Sequence, residues 1–379
     1  MGPVRHPLPQ EREAVAALWR QCFPEDSAAY VTWYFDTVYE ARNTLALFDG
    51  QHLCSSLQLN PYPLRLRGRT LDAAAMAGVD TDPAYRRRGL AGELIRAAFA
   101  LMRERGQAMS FLYPFRESFY EAYGYTCGYL RQVGRVEASA LTGAGGGIAR
   151  EMPLDDETAA ALLPLYRAWM GGREGMVARD EALMARRLAD CAVDGSRCVA
   201  LLGPAGPAAY ALFCVEGERA VLQEQAVTSA QAGDLLSAVA LACPEAKRLQ
   251  ATAAERWPVP GMAWEEAHGD MLRVVDVAAA LTGLDAPEGL ALILQVEDGV
   301  CPWNHGCFAL QSQGGRLLAT PTQQSAAASL DVRTLARLMT GYETAAQAIL
   351  DGGLQADAAA QAALEGLFPP SVPEIVETY

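Results

Sequence analysis

Lysine is almost missing from this 379-residue sequence: Lys247 stands alone among thirty arginines. That bias is one of composition and carries little mechanistic information. Histidine is scarce too, with only His6, His52, His268 and His305, all far apart, which argues against a histidine-centred metal site. The nine cysteines are odd in number, scattered, and include no C-x-x-C pair. This excludes a disulfide framework and leaves free, mostly buried thiols in a reducing cytoplasm as the expected state. No run reaches the roughly 18 apolar residues of a membrane span. The opening Met1–Pro7 has no apolar core of a secretory signal, and His6 stands where a myristoylation site needs Ser or Thr. A basic surface is lacking as well. The net charge is −14, which disfavours nucleic acid as a partner.

What is there is enough chain for two or three full cores. The charge is unevenly spread. Residues 1–145 hold 16 arginines and 15 acidic side chains, whereas residues 146–379 hold 15 basic and 30 acidic ones. Such a field suits solubility and also a cationic small molecule or peptide.

The chemistry concentrates between Val79 and Gly92. A strand over 73–81 runs through a short turn into a helix reaching about Arg105. Arg86, Arg87, Arg88, Gly89 and Gly92 crowd the place where that helix begins. Unpaired N–H groups and the helix dipole make such an end an anion receptor. Arginines add charge, and glycine lets the backbone come close. The N–H groups around Arg87, Arg88, Gly89, Leu90, Ala91 and Gly92 suit a pyrophosphate. The backbone of Val79, Asp80 and Thr81 can pair with an amide-bearing arm as an added strand would.

The first 140 residues read as helices over 11–21 and 28–38, strands over 44–49, 52–60, 63–67 and 73–81, the helix after Gly89, a strand over 108–113, a short helix over 117–123 and a final strand over 129–136. The run Leu141–Gly147 is a flexible linker by composition. Beyond it, Val221–Ser229 and Ala230–Ala242 echo the strand and helix of the first part, without its arginines and with a shorter turn. Gly203–Pro207 reads as a hairpin rather than a phosphate loop, since its two prolines donate no N–H. A second boundary falls near Gly283–Glu288. The tail then reads as strands over 290–296, 307–311 and 316–321. Helices follow over 332–340, with Asp331 as N-cap, and over 343–351 and 356–367. A Pro-rich, aromatic-ended segment closes the chain and is pre-set as extended. The expected division is 1–145, 146–285 and 286–379, each of α/β type.

Two motifs make the family resemblance specific. Arg86-Arg87-Arg88-Gly89-Leu90-Ala91 fits the R/Q-x-x-G-x-G/A signature of GCN5-related N-acetyltransferases, between a strand and a long helix. Downstream, Leu112–Tyr125 resembles their Y-x-x-x-G-aromatic element. The whole chain is similar to the Eis-like acetyltransferases. Met271–Leu281 resembles the junction before their third domain, and Leu335–Tyr342 a helix within it. The resemblance implies tandem GNAT folds, the second degenerate, followed by a sterol-carrier-protein-2-like α/β domain. It also implies acetyl-CoA as co-substrate, no metal, and a trimeric or hexameric assembly in the cytoplasm.

On that resemblance, Phe115 and Arg116 flank the thioester arm, and Tyr120 is the proton donor. A Tyr hydroxyl of ordinary pKa about 10 can protonate or stabilise a leaving thiolate. The terminal carboxylate, here of Tyr379, enters the active site as base; relatives often end in Phe. Asp26, Trp33, Phe35 and Asp36 fall where related enzymes place the acceptor pocket. Acidic and aromatic walls suit an ammonium, though Trp33 and Phe35 equally suit a core. N-acetylation of a primary amine (an aminoglycoside-like polyamine, a polyamine or a Lys side chain) is the leading reading. Binding of an apolar ligand by the third domain, or non-catalytic CoA sensing, stand as alternatives.

Overall fold

The computed structural model describes residues 2–141, 148–375 and 377. Most of the expected linker, and Tyr379, lie outside the described residues. The chain divides into two compact units: Met1–Tyr129 with Gly269–Pro373, and Leu130–His268 with Glu374–Thr378.

The first unit opens with α1 (Arg12–Cys22) and α2 (Ala28–Thr37). Ser27 caps α2 by accepting the Tyr30 N–H at 2.9 Å, satisfying one orphan donor of the first turn. Val15, Leu18 and Trp19 of α1 join Val31, Tyr34 and Phe35 of α2 in one apolar cluster. β1 (Thr44–Asp49), β2 (His52–Leu66) and β3 (Arg69–Thr81) follow as an antiparallel meander. Two expected strands are thus one long β2. β1 ends opposite Gln58, so Pro61 and Pro63 lie where β2 has a partner on one side only, and their missing N–H groups cost no ladder bond there.

α3 (Leu90–Glu104) crosses over to β4 (Met109–Leu112), which runs parallel to β3. Its buried face is Leu90, Leu94, Ile95, Ala98, Phe99 and Met102, at helical spacing. Each of the larger side chains contributes about 1.5–3 kcal/mol on burial. α4 (Glu117–Glu121) and β5 (Thr126–Cys127) complete this stretch. The sheet order is β1-β2-β3-β4, then Met271–Val274, then β5. The inserted strand comes from far along the chain and is antiparallel to both neighbours.

A second sheet of the same unit has the order Arg316–Thr322, Gly306–Gln313, Ala291–Glu297, Ala328–Asp331, Leu354–Ala356. The expected cap is present, with Asp331 accepting the Thr334 N–H at 2.7 Å. Leu354–Ala356 differs from the reading, since the helix begins only at Ala358, behind the Asp357 cap.

The second unit holds a seven-stranded sheet. The strand expected to end the first stretch forms as β6 (Leu130–Glu137), but it lies here, between Ala263–His268 and Arg248–Ala253. Consecutive strands are neighbours about two-thirds of the time, and β5 and β6 belong to the remainder. β7 (Ile148–Met152) lies at the other edge. α5 (Asp156–Met170) and α6 (Glu181–Val193) stand where α1 and α2 stand in the first copy. Arg219–Ala226 pairs in parallel with Arg248–Ala253 across α7 (Ala232–Ala242), repeating the β3-α3-β4 unit. The second unit thus repeats the order of helices, strands and crossover of the first.

Candidate active site

β3 is kinked just before the chemistry. Ser56 pairs with Asp80 and Gln58 with Ala77, so Gly78 and Val79 together oppose the single residue Leu57. Gly78 is required there. Its φ is +51°, and a Cβ would lie 2.2 Å from Gln58 Oε1 and 2.3 Å from the Trp19 ring. On its other edge, β3 pairs with β4 only from Ala73 to Ala75. Met76–Thr81 therefore run on with no strand partner on that side among the described residues. An open backbone edge leads straight into the turn.

The side chain of Asp80 points away from this role. It is buried, and its Oδ1 accepts both the N–H and the hydroxyl of Ser56, each at 2.8 Å. Oδ2 has no partner among the described residues. Burial outweighs the Ser56 bonds and pushes the carboxyl up to about 8. Val79 and Thr81 are half-buried, and Thr81 Oγ1 lies 2.9 Å from Ser55 Oγ. Sequence reading had no signal for the Ser56 clasp, since serines in a strand look like solvent-facing residues.

The three arginines divide by role, which the sequence left open. Arg86 Nε donates to the Thr81 carbonyl at 3.1 Å, and Arg88 Nη2 to the Ala84 carbonyl at 3.0 Å. Arg88 also covers the Tyr85 ring, 4.7 Å from its centroid. Arg87 is exposed and makes no hydrogen bond or ion pair among the described residues. Arg87 and Gly89 both adopt left-handed backbone, at φ 63° and 82°, which curls the chain into the start of α3. The first helical bond runs from the Glu93 N–H to the Gly89 carbonyl at 3.1 Å. The N–H groups of Leu90, Ala91 and Gly92 thus face the end of the helix. Gly92 has a packing reason besides: a Cβ would lie 2.3 Å from the Tyr123 hydroxyl.

Tyr120, on α4, is only 4 % exposed. Its ring meets Phe119 edge-on at 5.0 Å, Phe115 at 5.6 Å and Tyr125 at 5.9 Å. Burial raises its hydroxyl well above the ordinary phenol value, and the hydroxyl has no partner among the described residues. It is a protonated donor with nothing yet to donate to. Phe115 is 67 % exposed, an unusual state for so large an apolar ring, and the exposed Arg116 lies 5.9 Å over it.

The acceptor candidates separate. Phe35 is 4 % exposed and stacks on Tyr39 at 4.9 Å beside Trp19, so it belongs to the core and lines no open space. Asp36 is exposed and engaged by Arg12. Asp26 is half-buried and accepts the Trp19 indole N–H at 2.7 Å, with burial raising its carboxyl above the usual value. Trp33 is half-buried against Tyr30 at 6.0 Å. Tyr379 lies outside the described residues.

Among the described residues no cluster of His, Cys, Asp or Glu could hold a metal ion, and no helix is long and apolar enough to cross a membrane.

Known proteins resemble both ends of the chain. Residues 3–128 match the acetyltransferase (GNAT) domain, and residues 277–375 the sterol carrier protein domain. No curated protein matches the sequence significantly. Solved structures match over the full length. A probable N-acyltransferase from Enterococcus faecalis V583 has 18% identity over 99% of both chains, with a TM-score of 0.85. A GCN5-related N-acetyltransferase from Anabaena variabilis has 19% identity over 99% of both, also at 0.85. Eis1 from Mycobacterium abscessus has 18% identity over 100% of both, at 0.77. The chain therefore carries an acetyltransferase (GNAT) domain over residues 3–128 and a sterol carrier protein domain over residues 277–375, and over its full length it shares the fold of these solved structures.

Proposed function

We propose that the chain transfers the acetyl group of acetyl-CoA directly to a primary amine. The observation that carries this reading is the open edge of β3 over Met76–Thr81, running into the N–H groups of Leu90–Gly92 with the unengaged Arg87 beside them. A pyrophosphate suits that helix end, and the β3 edge suits the pantetheine amides. Phe115 and Arg116 flank the thioester. The amine lone pair attacks the acetyl carbonyl, a C–N bond replaces the C–S bond, and the departing sulfur takes the Tyr120 proton. The α-carboxylate of Tyr379 takes the proton the ammonium must lose. Residues 1–145 carry the transfer, 146–285 the degenerate copy, and 286–379 the sterol-carrier fold with the terminal residues. Cytoplasmic location and assembly as a trimer or hexamer belong to the same reading.

The acceptor is cationic on this account: an aminoglycoside-like polyamine, a polyamine or a Lys side chain. Asp26 and Trp33 supply its carboxylate and aromatic wall. The test mixes the purified protein with acetyl-CoA and a panel of amines and follows free thiol. Amine-dependent release supports the reading, and its absence across the panel overturns it.

One observation favours a second activity. A cavity of about 380 Å³ opens on the second sheet of the first unit, lined by Ala291, Ile293, Leu310, Ala360 and Ala363 and by the polar Gln311, Gln324 and Asp357. Apolar-ligand binding there would show as fluorescence enhancement of an apolar dye in an Ala363→Trp-sensitive manner.

A further inference from the structure

The second unit lacks the arginine turn, yet it carries a dense buried charge network of its own. Arg179 lies in the connection between α5 and α6 and is fully buried. Its Nη1 and Nη2 donate to the two carboxylate oxygens of Glu224, each at 2.8 Å, and its plane covers Tyr166 at 4.2 Å. Glu224 also accepts from Arg187 at 3.0 Å and from the Tyr210 hydroxyl at 2.6 Å, while Arg187 reaches Asp190 at 2.8 Å. Burial opposes the ionisation of Glu224, but the two guanidiniums outweigh it and carry its carboxyl down to about 2. Glu224 and Asp190 thereby counter the charge of Arg179 and Arg187, all four residues belonging to the second unit.

The C-terminal segment then brings in two more carboxylates. Glu377 accepts from the remaining nitrogen of Arg179, Nε, at 2.6 Å. Glu374 accepts from Arg173 at 3.0 Å, and its N–H bonds the Glu174 carbonyl at 2.9 Å. Arg173 itself lies 4.4 Å over Trp169. A buried guanidinium nitrogen without an acceptor is costly, and the acceptors that Arg179 Nε and Arg173 Nε find lie on the chain's own end. Burial raises both tail carboxyls, Glu374 to about 7, against the pull of Arg173 and Arg179.

The position has a counterpart in the first copy of the fold. There the connection between α1 and α2 carries Asp26, a carboxylate. In the second copy the same connection carries Arg173 and Arg179.

We infer that the second GNAT fold serves as an intramolecular receptor for the C-terminal segment, with Arg173 gripping Glu374 and Arg179, held by Glu224, gripping Glu377. Arg179 becomes a positioning residue for acetyl transfer, a consequence that rests on the reading of Tyr379 as base.

The test uses the full-length protein and the double variant Glu374→Gln/Glu377→Gln, which leaves the Arg179–Glu224 pair intact. Hydrogen exchange of the C-terminal peptide is followed by mass spectrometry beside acetyl transfer. The expected result is at least tenfold faster exchange in the variant, with kcat lowered and KM for acetyl-CoA unchanged. Equal exchange in both proteins overturns the receptor. Faster exchange with unchanged kcat keeps the receptor and removes Tyr379 as base. If deletion of Tyr379 abolishes transfer while exchange is equal, the base reading stands and the receptor falls.

Discussion

Ser56 donates its N–H and its hydroxyl to one oxygen of Asp80 and leaves the other oxygen of that buried carboxyl without a partner among the described residues. One serine thus holds an acid in a place where its charge is unwelcome. The Asp80 carboxyl stands at about 8 in the folded chain against an ordinary 3.8.

The sign of the pH effect follows. Between pH 4 and 8 the native chain binds a proton at Asp80 that the unfolded chain has lost. The stability linked to Asp80 is full below about pH 4 and falls as pH rises to about 8, by an amount on the order of 5 kcal/mol. Asp80→Asn removes this slope. Urea unfolding at pH 5 and pH 9 checks it: the variant loses less stability between the two than the parent does.

Tyr120→Phe keeps the ring and its contacts but removes the proton. A fall in kcat of about 10²–10⁴ is expected, with KM for acetyl-CoA little changed. Because burial holds the hydroxyl protonated, the parent's kcat should show no alkaline decline from Tyr120 up to pH 10. A decline centred near the ordinary phenol value, abolished by Tyr120→Phe, would contradict the burial effect.

Arg87→Gly keeps the left-handed backbone that Arg87 adopts and deletes the guanidinium. Weakening of CoA binding by about 10-fold or more is expected, in line with about 1.5–3 kcal/mol for a hydrogen bond to a charged group. Arg86→Ala and Arg88→Ala should weaken binding less, since those side chains brace the turn. Calorimetric titration with CoA ranks the three.

Gly78→Ala forces a methyl against Trp19 and Gln58 at a positive φ. A loss of about 2–4 kcal/mol is expected from strain and overpacking together. Denaturant unfolding measures it, and weaker CoA binding should accompany it, because the bulge sets the course of the open β3 edge.

Local chemistry made the turn and the helix after it legible. A helix start after a strand, with arginines and glycines at fixed offsets, lies within a short stretch of sequence. The helical faces of α1 and α3 were readable for the same reason. What stayed hidden depends on distant partners. Phe35 and Trp33 sit two residues apart with similar side chains, and only the packing of Trp19 and Tyr39 decides that Phe35 is core. Arg179, Glu224 and Glu377 look in sequence like any scattered surface charges, since no pattern marks a pair separated by 45 or 198 residues as buried. Leu354–Ala356 is too short for alternation to show, and its alanine-rich sequel reads as helix throughout.

The strand Met271–Val274 has a consequence for how the chain is made. Until the ribosome has passed residue 274, β4 and β5 have no strand to lie between them, and the sheet emerges without the fifth of its six strands. Synthesis of the entire second fold must come first. The nascent first unit therefore waits with unpaired strand edges, the state that invites wrong pairing. A fragment ending near residue 145 would lack that strand permanently, so the smallest piece able to complete this sheet extends well past the arginine turn and Tyr120.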